Sequence, residues 1–211
     1  MLRRHDLAYV SPAAWRLALQ SQPELATEPL VAGWADRGWP LIARRLTPGE
    51  APGVPLGLPL PPCHGKRRLA FVLQAGDLLS TAPPPLLSAA IDVAPSAWRP
   101  TMERLVDLAA AHGGQARVFG SLAWRLLTGL DYLTPRSDLD VLLPLPCASD
   151  VTQLIAELAA LERAAPMRLD GELVRDDGAA VNWRELHEGA GELLVKTSRD
   201  AVLLSASWFI P

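Results

Sequence analysis

Cysteine is scarce. Cys63 and Cys147 alone, in 211 residues, make neither a disulfide framework nor a zinc knuckle. No stretch reaches the ~20 apolar residues that span a bilayer. The opening Met1-Leu2-Arg3-Arg4-His5-Asp6 is followed by no apolar core of signal-peptide length. There is no Gly-x-x-x-x-Gly-Lys-Ser/Thr run, which excludes a kinase-like P-loop, and no internal repeat. A basic tail or stripe is also missing, so general nucleic-acid binding is not expected. The formal charge is only −3, and it is uneven: residues 1–80 carry 9 Lys/Arg against 6 Asp/Glu, which leaves 11 against 17 for the rest. The expectation is a soluble, cytoplasmic protein with neither membrane nor nucleic acid as partner. With 49% apolar and 20% charged residues the chain is not disordered.

What is plentiful is proline and glycine, 20 and 15 residues, and the prolines cluster early. Residues 1–82 read as a small α+β module. Ser11-Pro12 is a helix start, with a hydroxyl cap before Pro at the first helical position, and Pro23 stops that helix. Pro40–Arg45 and Arg68–Leu73 read as strands. Val54–Pro62 carries Pro55, Pro59, Pro61 and Pro62, and is expected not to be a central strand, because proline lacks a ladder donor. Thr81–Pro85 is the junction. The second domain, 83–211, begins with a helix at 86–93 and another ending at Ala111. Short strand Arg117–Phe119 follows, then a helix from Gly120-Ser121. Asp138–Leu143 is a strand closed by Pro144 and Pro146. Asp150–Ala164 is a helix with Leu154, Ile155, Leu158 and Leu161 on its apolar face. Arg168–Arg175 and Ala179–Trp183 form a hairpin, Glu192–Lys196 a further strand. Thr197 or Ser198 is expected to cap a last helix through Trp208. Trp183, Trp208 and Phe209 read as packing residues.

The chemistry concentrates at Gly120-Ser121 and, seventeen residues on, Asp138-Leu139-Asp140. Residues i and i+2 of a strand share a face, so Asp138 and Asp140 stand side by side. Neighbouring carboxylates repel unless a cation joins them, and hard, oxygen-seeking magnesium (or manganese) suits them. Gly120-Ser121 ends a strand and opens a helix, whose N–H groups and serine hydroxyl suit a phosphate. Strand, Gly-Ser, helix, then a strand with Asp-x-Asp is an order fit for metal-assisted attack of a hydroxyl on a phosphoanhydride.

These motifs resemble the signature of the DNA polymerase beta-like nucleotidyltransferases. The fuller text Val118-Phe119-Gly120-Ser121-Leu122-Ala123-Trp124, Thr128-Gly129-Leu130-Asp131-Tyr132 and Ser137-Asp138-Leu139-Asp140 is similar to one branch, the malonate decarboxylase holo-acyl carrier protein synthases, or phosphoribosyl-dephospho-CoA transferases. Arg4-His5-Asp6-Leu7, Gly57-Leu58-Pro59, Leu169-Asp170-Gly171-Glu172 and Val195-Lys196-Thr197 extend the likeness over nearly the whole chain.

The resemblance implies an α+β fold, a nucleotidyltransferase core of mixed sheet and helices behind the N-terminal module. It implies transfer of 2'-(5''-triphosphoribosyl)-3'-dephospho-CoA to a serine of the malonate decarboxylase acyl carrier protein, with diphosphate leaving. Asp138 and Asp140 would be the metal ligands. A third carboxylate is usual on a neighbouring strand. Asp170 is preferred for its shorter side chain, with Glu172 as the alternative. Arg136, Lys196 and Arg125 are candidates to meet the triphosphate beside Gly120 and Ser121, and Lys66-Arg67-Arg68 could meet the carrier protein or CoA phosphates. Trp124 or Tyr132 could stack on an adenine, although Trp124 has apolar helical neighbours. The alternatives are an ATP-using adenylyltransferase and a non-catalytic partner protein of the same fold.

Overall fold

A computed structural model describes residues 2–145 and 150–210. Pro146, expected to help close a strand, and Cys147 lie outside the described residues. The chain divides into two compact units, Met1–Pro83 and Pro84–Pro211, and each is α+β.

In the first unit β1 (Leu7–Val10) leads into α1 (Pro12–Leu19), α2 (Pro23–Ala26) and α3 (Pro29–Ala32), followed by β2 (Leu41–Ala43), β3 (Val54–Pro59), β4 (Arg68–Leu73) and β5 (Leu78–Ala82). The Ser11 hydroxyl caps α1 by accepting the Ala14 N–H at 3.1 Å, with Pro12 first in the helix. The strands form an antiparallel sheet in the order β4-β3-β2-β1-β5. Its core includes two fully buried tryptophans whose indole N–H groups are satisfied. Trp15 donates to the Val31 carbonyl at 2.8 Å and Trp34 to that of Pro40 at 2.9 Å.

One expectation fails here. Despite its prolines, β3 lies between β2 and β4. Pro55 and Pro59 share parity, and both turn their backbone nitrogens toward the β2 side. There β2 pairs only with Leu56 and Gly57, so neither proline is asked for a donor. Pro55 contributes its carbonyl, which accepts the Arg44 N–H at 3.1 Å. Proline is excluded from a ladder position, not from an interior strand with a short neighbour.

The second unit starts with a 3-10 helix (Leu87–Val93), α4 (Arg99–Ala111), β6 (Arg117–Val118), α5 (Gly120–Thr128) and β7 (Leu139–Pro144). It continues with α6 (Val151–Ala164), β8 (Leu169–Val174), β9 (Ala180–Asn182), α7 (Trp183–His187), β10 (Glu192–Lys196), β11 (Ala201–Ser205) and α8 (Ala206–Phe209). The sheet is mixed, in the order β11-β10-β9-β8-β7-β6. Only β7 and β8 run parallel, and α6 is their crossover. Leu139, Val141 and Leu143 share one buried cluster with Met102 and Leu105 of α4 and Leu154 and Leu158 of α6. Each of these β7 side chains contributes roughly 1.5–3 kcal/mol by burial. A one-residue slip would exchange them for Asp138, Asp140 and Leu142, so the register is firmly held.

The expected last helix is mostly strand. The Thr197 hydroxyl accepts N–H bonds from Arg199 at 3.1 Å and Asp200 at 2.9 Å, which forms a turn rather than a helix cap. Val202, Leu203 and Leu204 then pair antiparallel with β10. Helix survives only as α8. Trp183 and Phe209 are buried as expected, whereas Trp208 is 44% exposed under the Arg175 guanidinium, 4.8 Å from the ring centroid.

Candidate active site

The second unit's sheet turns its even-numbered β7 and β8 residues away from the core. Parallel register sets Asp140 against Asp170 and Leu142 against Glu172, so both pairs lie on one face. Asp138 lies two residues before Asp140, on the same parity. Antiparallel pairing of Glu172 with Asn182, and of Lys196 with Ala180, carries the same face across β9 and β10. Asp138, Asp140, Asp170, Glu172, Asn182 and Lys196 thus share one side of four adjacent strands.

Asp140 is the most constrained of these. Its carboxylate accepts the Ser121 backbone N–H at the start of α5. Its own carbonyl accepts the Phe119 N–H at 3.1 Å. Gly120, between those two residues, has φ +63, and a Cβ there would overlap Asp140 Oδ2. Glycine is therefore required twice, by backbone conformation and by close approach. Burial, then the charges of Asp170 and Asp138, push the Asp140 carboxyl up to about 7, against the Ser121 bond that favours its ionised form. The Ser121 N–H, expected to serve a phosphate, is already given to Asp140.

The other carboxylates have partners of different kinds. Asp138 Oδ2 lies 3.9 Å from Arg168, an exposed pair. Asp170 Oδ1 accepts from Asn182 Nδ2 at 2.8 Å. Glu172 is only 4% exposed, and Lys196 Nζ donates to it at 2.9 Å. Glu172, the alternative third carboxylate, is thus bound to a cation, while Asp170 is bound to a neutral amide. Gly171, between them on the core side, makes room for Trp183, whose Cδ1 would stand 2.9 Å from an added Cβ.

Among the remaining candidates, Lys196 joins the face through Glu172. Arg136 is exposed in the Thr134–Ser137 turn just before Asp138, its backbone N–H donating to the Thr134 hydroxyl at 3.3 Å. Arg125 donates to Asp131 in the loop after α5 at 2.7 Å. In the first unit Arg67 pairs with Glu28, while Lys66 and Arg68 are exposed. Trp124 and Tyr132 are each 4% exposed, with ring centroids 6.1 Å apart, so neither offers an open face to an adenine. Asn182 escaped sequence reasoning, although it is the only asparagine in the chain and faces Glu172 across a hairpin.

Among the described residues no three His, Cys, Asp or Glu side chains are already gathered as a cation site. The donor chemistry nevertheless suits a hard divalent ion. Asp138 and Asp140 offer adjacent carboxylate oxygens, and burial together with the charges of Asp170 and Asp138 raises the Asp140 carboxyl, a load that a bound cation would relieve. No described helix is long and apolar enough to cross a membrane.

Comparison with known proteins gives a consistent result. Residues 86–207 match the family model of the phosphoribosyl-dephospho-CoA transferase MdcG C-terminal domain, and residues 3–84 that of its N-terminal domain. A protein of Bradyrhizobium diazoefficiens named phosphoribosyl-dephospho-CoA transferase is 54% identical over 207 residues, 98% of this chain and 92% of that protein. Proteins of the same name from Xanthomonas euvesicatoria pv. vesicatoria and Pseudomonas putida are 36% and 29% identical. They cover 100% and 99% of this chain, and 98% and 96% of their own lengths. No solved structure matches.

Proposed function

Because this chain belongs to the phosphoribosyl-dephospho-CoA transferase family, we propose that it transfers the 2'-(5''-triphosphoribosyl)-3'-dephospho-CoA prosthetic group to a serine of the malonate decarboxylase acyl carrier protein. The serine oxygen bonds to the phosphorus next to the ribose, a phosphoanhydride bond breaks, and diphosphate leaves with the electron pair. The observation that carries this reading is the register of Asp140 against Asp170 across a parallel strand pair, with Asp138 two residues before Asp140, against the glycine turn that opens α5. It supports our reading of the second unit as a nucleotidyltransferase core.

Asp138 and Asp140 would hold magnesium or manganese, which when bound supplies Lewis-acid stabilisation to phosphoryl oxygens. Asp170 takes the serine proton, or orients that hydroxyl, from the adjacent strand. Glu172 is not free for that task, because it pairs with Lys196, and that lysine, on the same face of the sheet as Asp170, is available to an anionic substrate. Arg136 extends the positive approach from the turn before β7, and Arg125 could leave its exposed bond to Asp131 to join it. Gly120 and Ser121 serve by seating the Asp140 carboxylate.

The test is mass spectrometry of the carrier protein after incubation with enzyme, magnesium and triphosphoribosyl-dephospho-CoA. The expected product carries the whole prosthetic group on serine, and D138N and D140N proteins, still folded, form none. An adenylyl adduct formed only with ATP would replace this reading with an adenylyltransferase. Near-normal turnover of either variant at saturating magnesium would remove the metal-ligand role.

A further inference from the structure

We infer that Asn182 is the positioning residue for Asp170, holding one carboxylate oxygen so that the other meets the attacking hydroxyl. This rests on the proposed role of Asp170 and goes beyond it by naming what sets that group's orientation. Asn182 Nδ2 donates to Asp170 Oδ1 at 2.8 Å, and Asn182 Oδ1 accepts the Arg184 N–H at 3.0 Å at the start of α7. One amide face meets an acceptor and the other a donor, so the side chain fits in only one of its two orientations. A flipped amide would set oxygen against carboxylate and NH2 against N–H.

The surroundings keep that amide in place. Its backbone is paired with Glu172 of β8. The next residue, Trp183, is 2% exposed, lies over Gly171 and donates through its indole N–H to the Leu169 carbonyl at 3.3 Å. Arg184 is tied to Glu162 of α6, and Glu162 also accepts the Leu169 N–H at 3.0 Å. The residues flanking Asp170 and Asn182 are therefore fastened to each other from the core side. On the open side, Asp170 has the Asp140 carboxylate as its register neighbour. The Asn182 amide gives Asp170 a hydrogen bond without adding a cation. A lysine or arginine there would hold the carboxylate in an ion pair, as Lys196 holds Glu172, and would weaken it as a proton acceptor.

The N182D variant separates this role from simple helix capping. Aspartate is as good a cap as asparagine, so the bond from the Arg184 N–H survives while the donor to Asp170 is lost. With triphosphoribosyl-dephospho-CoA, carrier protein and magnesium, kcat is expected to fall ~10–100-fold, as for other outer-shell partners, with both KM values little changed; the Tm should drop in N182D, where two carboxylates now meet, and change little in N182S. The N182S variant keeps a capping hydroxyl but cannot reach Asp170, and should show the same loss if N182D folds poorly. In a double-mutant cycle the D170N/N182D protein should be no slower than D170N, because Asn182 acts through Asp170. Near-parental kcat in N182D and N182S, with D170N impaired, would leave Asn182 a mere cap and overturn the inference while the site reading stands. Normal turnover in D170N would remove the assigned base, and this inference with it.

Discussion

Replacing Asp140 by asparagine should make the cation-free protein more stable, and the gain should depend on pH. The folded protein raises this carboxyl from an ordinary 3.8 to about 7. Between those values the folded state binds more protons than the unfolded one, so stability falls as pH rises. The contribution is fully present below the unfolded pKa and is lost as pH rises through the folded one. A shift of 7 − 3.8, about 3 units, at 1.36 kcal/mol each sets a ceiling of about 4 kcal/mol near pH 8, falling to well under ~1 kcal/mol near pH 4. Asparagine has nearly the same shape, its oxygen can still accept the Ser121 N–H, and it carries no charge to desolvate. Urea denaturation of parent and D140N protein in chelator, across about pH 4 to 8, should show curves that nearly meet in acid and separate toward alkali. Saturating magnesium should narrow the gap by stabilising only the parent. A D140N protein less stable than the parent at pH 8, or a gain independent of pH, would refute the argument that burial and carboxylate repulsion load this position.

Gly120→Ala should cost both stability and catalysis. The new Cβ overlaps Asp140 Oδ2 at a residue with φ +63. Turnover should fall at least ~100-fold through displacement of Asp140, and a parental rate with a parental melting curve would show that the contact is not tight. Lys196→Met should destabilise the fold by about 2–4 kcal/mol at neutral pH, because it leaves the buried Glu172 carboxylate without its cation. The double variant E172Q/K196M should recover much of that loss in urea titrations, and equal instability of single and double variants would argue against the pair.

The part of the site that sequence reveals is the local part. Asp138 and Asp140 share a face by strand periodicity alone, and Gly120-Ser121 announces a tight strand-to-helix turn. Asp170 and Glu172 could be placed on one face for the same reason, but their different partners come from the neighbouring strands. Lys196 reaches Glu172 only through the stacking of β8, β9 and β10, and Asn182 reaches Asp170 only through the hairpin register. Neither contact leaves a short-range pattern. The fold shows the same limit. Val202-Leu203-Leu204 is an apolar run that either period accommodates, and the Thr197 turn decided for strand. The prolines of β3 were legible as missing donors, but not as donors that the short β2 never requires.

The Asp140 oxygen lies where a side chain on Gly120 would begin, and that has an evolutionary consequence. The two positions form a lock that opens in one order only. While the carboxylate stays, the glycine cannot drift. Once a lineage trades Asp140 for a smaller residue, the space over position 120 opens, and only the left-handed backbone still favours glycine there. Asparagine and aspartate, which tolerate that conformation, become admissible. A descendant that had become a non-catalytic partner protein would thus be free to acquire a second scar at position 120. That scar would date from after the loss of the carboxylate, never before it.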